Sequence, residues 1–188
     1  MGKVYDGLDA RLREFVDAQS VFFVATAPLA ADGRVNLSPK GVDGTFTVLD
    51  EHTVAYLDLT ASGAETIAHL RENGRITLMF CSFARQPKVL RLHGRGRFVT
   101  PYDEDWESWR ARFPTRTGTA RAVVVVDVQR VSDSCGYGLP LFGDPAERDL
   151  LIPSMERKPD VTAYRVEKNR ASIDGLPAYD FDPVPGTL

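Results

Sequence analysis

The sequence predicts a mainly β protein: an antiparallel barrel of about six strands with a few peripheral helices. Three observations lead there. Six or more β-rich segments are joined mostly by short turns, a helical stretch is inserted among them at 63–72, and strands and helices do not alternate regularly. The last point, with the lack of a GxGxxG after the first strand, argues against a doubly wound parallel sheet. At 188 residues, 43% of them hydrophobic, the chain has the length for one domain, residues 1–188, around one sizeable core.

Asp9 to Gln19 places Leu12, Phe15 and Val16 at helical spacing, with Leu8 one turn earlier, and predicts a short amphipathic helix. SVFFVATA is dense in β-branched and aromatic residues, and the turn signal Ala31-Asp32-Gly33 precedes RVNLS, so the pair reads as a hairpin. TFTVL and TVAYLDL, separated by Asp50-Glu51-His52, read as two further strands. GAETIAHLRE is helical, with Asn73-Gly74 suited to a left-handed cap. RITLMFC and KVLRLHGRGRFV return to β, Gly94 and Gly96 marking a bulge or tight bend. EDWESWRARF predicts a helix, and RAVVVVDVQRVS a strand deep in the sheet. ERDLLIPSMERK and VTAYRVEKNRASIDG have helical character, and DFDPVPGTL is expected to be a mobile or draped tail.

The charge balance, 23 basic against 26 acidic residues, gives a net charge of −3 and excludes a broad basic surface for nucleic acid. Cys81 and Cys135 lie far apart without metal-site spacing, and His52, His69 and His93 have no i, i+4 pair, so no metal site is expected. No apolar leader or membrane-length run is present, and the expected location is cytoplasmic.

Three segments carry candidate chemistry. In LSPKG, Pro39 has no N–H for a ladder and belongs at a strand edge or end, so Lys40 and Gly41 are presented where the ladder opens, beside the backbone groups of Leu37 and Ser38. Such an edge offers backbone groups to a flat heterocycle and an ammonium to an electron-rich ring atom or a phosphate; read alone, Lys40 is equally a solvated lysine after a turn. In LDLTASGAET, following Leu59, Thr60 or Ser62 is expected to cap the helix, whose N–H groups and Thr66 hydroxyl suit an anion; an ordinary N-cap is the plainer reading. In SCGYGLP, Gly136 and Gly138 let the chain bend and present Tyr137, either to a cofactor or to a neighbouring subunit.

The order of these pieces, and above all HLRENGRITLMF followed by LHGRGR, resembles the pyridoxamine 5′-phosphate oxidase-like family, the flavin-binding split barrels, over about Phe15 to Val131. The resemblance implies a homodimer of split barrels, a core at about 15–131 and a C-terminal extension at about 139–188. It implies FMN in grooves at the subunit interface, with Asn36, Leu37, Ser38 and Lys40 along the ring and Leu59, Thr60 and Ser62 towards the ribityl phosphate. Family members commonly carry an Arg-Lys pair at the helix start, where this chain has Glu65 and Thr66. The phosphate is then left to hydroxyls, helix N–H groups and another cation, with Lys40, Lys88 and Arg91 as candidates. A deazaflavin (F420) suits the same groove, and haem, with His93 as a ligand, is a further alternative. The chain lacks the C-terminal Glu-Phe-Trp-Gln and Arg-Leu-His-Asp-Arg signature of true pyridoxamine phosphate oxidases, which argues against vitamin B6 chemistry. The implied activity is that of an FMN-dependent oxidoreductase acting on a small organic molecule. The alternative is a non-catalytic binding or storage protein.

Overall fold

The computed structural model describes residues 2–115, 117–143 and 145–180. In chain order the elements are β1 Val4–Tyr5, α1 Ala10–Asp17, β2 Phe22–Thr26, β3 Asn36–Lys40, β4 Phe46–Val48, β5 Thr53–Leu59, α2 Glu65–Glu72, β6 Arg75–Cys81, β7 Val89–Val99, α3 Trp106–Arg110, β8 Ala120–Ser134, α4 Leu151–Glu156 and α5 Val161–Asn169. All strands join one antiparallel sheet in the order β3-β2-β6-β7-β8-β5-β4, with β1 paired to β8. The sheet thus has eight strands where six were expected. The shortest are β1 and β4, of two and three residues.

The sheet curls until its two ends face each other. Phe22 on β2 and Phe46 on β4 approach to 5.0 Å between ring centroids, and Phe80 on β6 and Tyr56 on β5 pack on the same pair. Alternation along β2 turns Phe22, Val24 and Thr26 inward, and Phe22 and Val24 join Leu78, Leu92 and Val124 in the main core. β8 runs through the middle, bonded to β7 on one side and β5 on the other, as its valine run predicts. Its Val123 and Val125 face outward onto a second core with Leu57 and Phe113, against which Trp106 and Trp109 pack.

Helix α1 starts at Asp9, whose carboxylate accepts from the Leu12 N–H at 2.8 Å, and buries Leu12 and Val16. Gly74, at φ +68°, ends α2 in the left-handed conformation that Asn73-Gly74 predicted. The bulge expected in β7 falls between His93 and Gly94, where a side chain on Gly94 would lie 2.1 Å from the Asp127 carbonyl oxygen. Residues 181–188, most of the tail expected to be mobile or draped, lie outside the described residues. None of the described helices is long and apolar enough to cross a membrane.

Candidate functional site

β3 is an edge strand, paired only with β2. The strand is not interrupted at Pro39: it continues to Lys40, because the missing N–H costs nothing where no further strand accepts it. Alternation turns Asn36, Ser38 and Lys40 to the face of Phe22, Val24 and Thr26, while Leu37 and Pro39 face solvent. Two cavities meet at Pro39 and Lys40. One is a cleft of about 1230 Å³ lined by Phe22, Phe46 and Phe80 and rimmed by residues 41–45, 145–148, 150 and 151. The other is a polar pocket of about 230 Å³ lined by Ser38, Lys40, Ala61, Glu65, Thr66 and Arg121 among others.

A buried ionic cluster forms one wall of the polar pocket. The Asp58 carboxylate, 2% exposed, accepts from Lys40 Nζ and Arg121 Nε, both at 2.8 Å, and from the Tyr179 hydroxyl at 3.0 Å. Arg121 reaches it through a second bulge: between Asp58 and Leu59 the pairing skips from Ala122 to Ala120, which leaves Arg121 without a ladder partner and lets its side chain turn to Asp58. Burial alone would raise the Asp58 carboxyl, but the Arg121 and Lys40 charges reverse this and hold it well below the usual carboxylate range. Burial works against the Arg121 guanidinium in the same way, and Asp58 more than compensates, holding it above its ordinary value. Burial raises the Tyr179 phenol, whose ring lies 5.2 Å from the Arg121 guanidinium.

A second set of hydrogen bonds ties β3 to α2. Ser38 Oγ donates to Asn36 Oδ1 at 2.8 Å, and Asn36 Nδ2 donates to the hydroxyls of Thr26 and Thr66 at 3.2 and 3.1 Å. Thr26 Oγ1 lies 2.9 Å from Nδ1 of the buried His69, whose pKa is lowered chiefly by burial. Asn36, Ser38 and Thr66 are therefore linked as one hydrogen-bonded unit, of which Ser38 and Thr66 line the polar pocket.

The predicted cap on α2 is not made. The N-cap is Ala64, without a side-chain bond. Thr60 is fully buried and donates to the Thr119 carbonyl at 2.6 Å, while Ser62 is exposed. Leu59 belongs to the second core. Within the chain, Lys40, Ser38 and Thr66 come together as expected, but Lys88, Arg91 and Tyr137 lie apart from both cavities. Lys88 Nζ sits 5.2 Å from the centre of the Phe15 ring, Arg91 donates to Ser134 Oγ, and Tyr137 is 82% exposed. His93 is half-buried beside Arg91 and Arg130, and burial followed by those two charges lowers its pKa.

Sequence reasoning missed Asp58, Arg121, Arg165 and Tyr179. Asp58 was readable as a carboxylate inside an apolar strand, YLDL; the C-terminal residues had no local signal. Arg165 on α5 donates to Thr60 Oγ1 at 2.9 Å and to the Ala120 carbonyl at 3.1 Å. Asn169 donates to the Ala61 carbonyl at 2.8 Å, and the Ile173 N–H to Glu65 Oε1 at 3.2 Å. With Arg34–Asp174 and the Arg71 bond to the Ala178 carbonyl, these contacts strap residues 165–179 onto the chain's own barrel.

A sequence model described as pyridoxamine 5′-phosphate oxidase matches residues 8–135. The chain belongs to this family. Within it, the pyridoxamine 5′-phosphate oxidase family protein ustO of Aspergillus flavus is 38% identical over 192 residues, covering 92% of this chain and 76% of the relative. Among solved structures, HupZ of Group A Streptococcus superposes with a TM-score of 0.54 at 21% identity, over 72% of this chain and 98% of that one, a likeness of fold. A FAD-binding protein from Mesorhizobium loti gives a TM-score of 0.49 at 14% identity, over 71% of this chain and 96% of that one. The strap lies beyond the stretch that the family model matches.

Proposed function

We propose that this protein is a flavin-dependent oxidoreductase of the family, binding FMN and acting as a homodimer on a small organic substrate. The observation that carries the reading is the junction at Pro39–Lys40, where a cleft lined by phenylalanines, with room for a flat heterocycle, opens beside a small polar pocket whose hydroxyls suit the polyol chain of its tail. The donor set fits such a molecule. Lys40 and Arg121 are cations, Ser38 and Thr66 bring hydroxyls, and the first turn of α2 has no side-chain cap. A flavin supplies hydride-transfer chemistry when bound.

The chain's own residues bind and orient. Pro39 and Lys40 at the end of β3 line both cavities and would hold the group across their junction, with Ser38 on the side of the polar pocket, and the Asp58 ion pair fixes the Lys40 ammonium there. Phe22, Phe46 and Phe80, which line the cleft at the edge of the main core, would favour an apolar ring over water there. Exposed Val35 and Leu37, 72% and 63% accessible on the β3 side of the barrel, suit burial by a second copy.

The test is anaerobic addition of a reduced nicotinamide to the flavin-loaded protein, with sedimentation of the same sample. Bleaching of the flavin absorbance in a species of twice the chain mass is expected. Flavin that binds but is not reduced by any nicotinamide would favour a carrier, and a monomer with bound flavin would remove the dimer from the proposal.

A further inference from the structure

The polar pocket carries two positive and two negative formal charges. Lys40 and Arg121 face the pocket, Asp58 lies directly behind them as their shared counter-ion, and Glu65 lines the pocket from the first residue of α2. Asp58 keeps its charge, since the two cations hold its proton off. Glu65 does not point away from the pocket. Its side chain folds back over the start of the helix, so that Oε2 lies 2.7 Å from where a Cβ on Gly63 would stand, and the Ile173 N–H of the C-terminal strap holds Oε1 at 3.2 Å. The glycine at 63 leaves the room that this backward fold uses. A carboxylate of the chain itself thus lines the same pocket as the two cations, at the start of a helix whose N-cap makes no side-chain bond, and its charge opposes that of an anion entering there.

We infer that Glu65, anchored by Ile173, is a specificity residue that makes this pocket accept a neutral or singly charged ligand end in preference to a phosphate dianion. The inference rests on the flavin reading above and deepens it: the ring in the aromatic cleft supplies most of the affinity, and the phosphate of FMN adds little to it. A dianion entering the pocket meets formal charges that cancel, whereas without Glu65 it meets a net charge of one positive unit. Glu65→Gln keeps the shape of the side chain and an oxygen for the Ile173 N–H, and removes only the charge.

The experiment is titration of FMN and of riboflavin by flavin fluorescence against the wild-type protein and Glu65→Gln, with melting temperatures of both proteins recorded in inorganic phosphate. The wild type is expected to bind the two flavins within about tenfold of each other, and Glu65→Gln to tighten FMN by about tenfold while leaving riboflavin unchanged, the scale of one repulsive charge a few ångströms away in a partly solvated site. A wild type that prefers FMN by more than about a hundredfold, or an FMN-to-riboflavin ratio unmoved by the substitution, overturns the inference. If neither flavin binds either protein, it is the flavin reading that fails. The role of Glu65 is then decided by phosphate, which should raise the melting temperature of Glu65→Gln more than that of the wild type; equal responses overturn it.

Discussion

Strand β8 carries two bulges, and they serve different ends. Near Val128–Arg130 the pairing with β7 shifts because Gly94 lets two backbones approach, and the outcome is a bend in the barrel wall. At Arg121 the pairing with β5 shifts and a cation turns into a buried cluster with Asp58, Lys40 and Tyr179. The first bulge is a solution to curvature and needs only the absence of a side chain. The second sets a charge in the wall of the polar pocket, and it is held in place by ion pairing and by a strap from the far end of the chain. The same local irregularity is thus scaffold in one place and part of the candidate site in the other.

Substitutions separate the two. Asp58→Ala should have the largest effect, because it leaves Arg121, only 4% exposed, without its counter-ion: a loss of about 3–5 kcal/mol in urea unfolding. The same group sets a pH dependence. Its folded-state pKa is depressed, so its contribution is fully present above the ordinary aspartate value of about 4 and is lost as pH falls below that towards the folded value. Asp50, Asp133 and Asp174 are depressed as well, so the contribution of Asp58 is read from the difference between the wild-type and Asp58→Asn stability profiles. That difference should shrink on acidification; a constant offset would contradict the ion-pair account.

Gly94→Ala should cost less, about 1–3 kcal/mol, as the β7–β8 bulge gives way to a methyl group, and should leave flavin affinity within about twofold of the wild type. Loss of binding in a folded Gly94→Ala protein would show that the two bulges are coupled. Tyr179→Phe, the mildest, removes one hydrogen bond to a buried carboxylate and keeps the ring over Arg121, for a loss of about 1–2 kcal/mol by thermal melting.

The sequence made the scaffold bulge readable and hid the one at the candidate site for the same physical reason. A glycine in a strand announces close backbone approach by its own lack of a side chain, whereas Arg121 at the head of RAVVVV reads as an ordinary polar strand end. Its partners Asp58 and Tyr179 stand 63 and 121 residues from it and from each other respectively, and no local spacing joins them. The strands and the inserted helix followed from alternation and turn chemistry, whereas the common face of Asn36, Ser38 and Lys40 was hidden by Pro39, which reads as the end of a strand that in fact runs on to Lys40. The cap assigned to Thr60 or Ser62 failed because Thr60 is drawn under the strap, a tertiary contact that competes with the local one.

The most direct test of the account is a flavin titration of the wild type beside Lys40→Met, with a thermal melt of each. The account predicts saturable binding of one flavin per chain with a Kd at or below about 10 μM, weakened at least about tenfold in a Lys40→Met protein that is still folded. Binding unchanged by the substitution, or no binding by the wild type at about 100 μM flavin, would contradict the claim that the Pro39–Lys40 junction is the cofactor site.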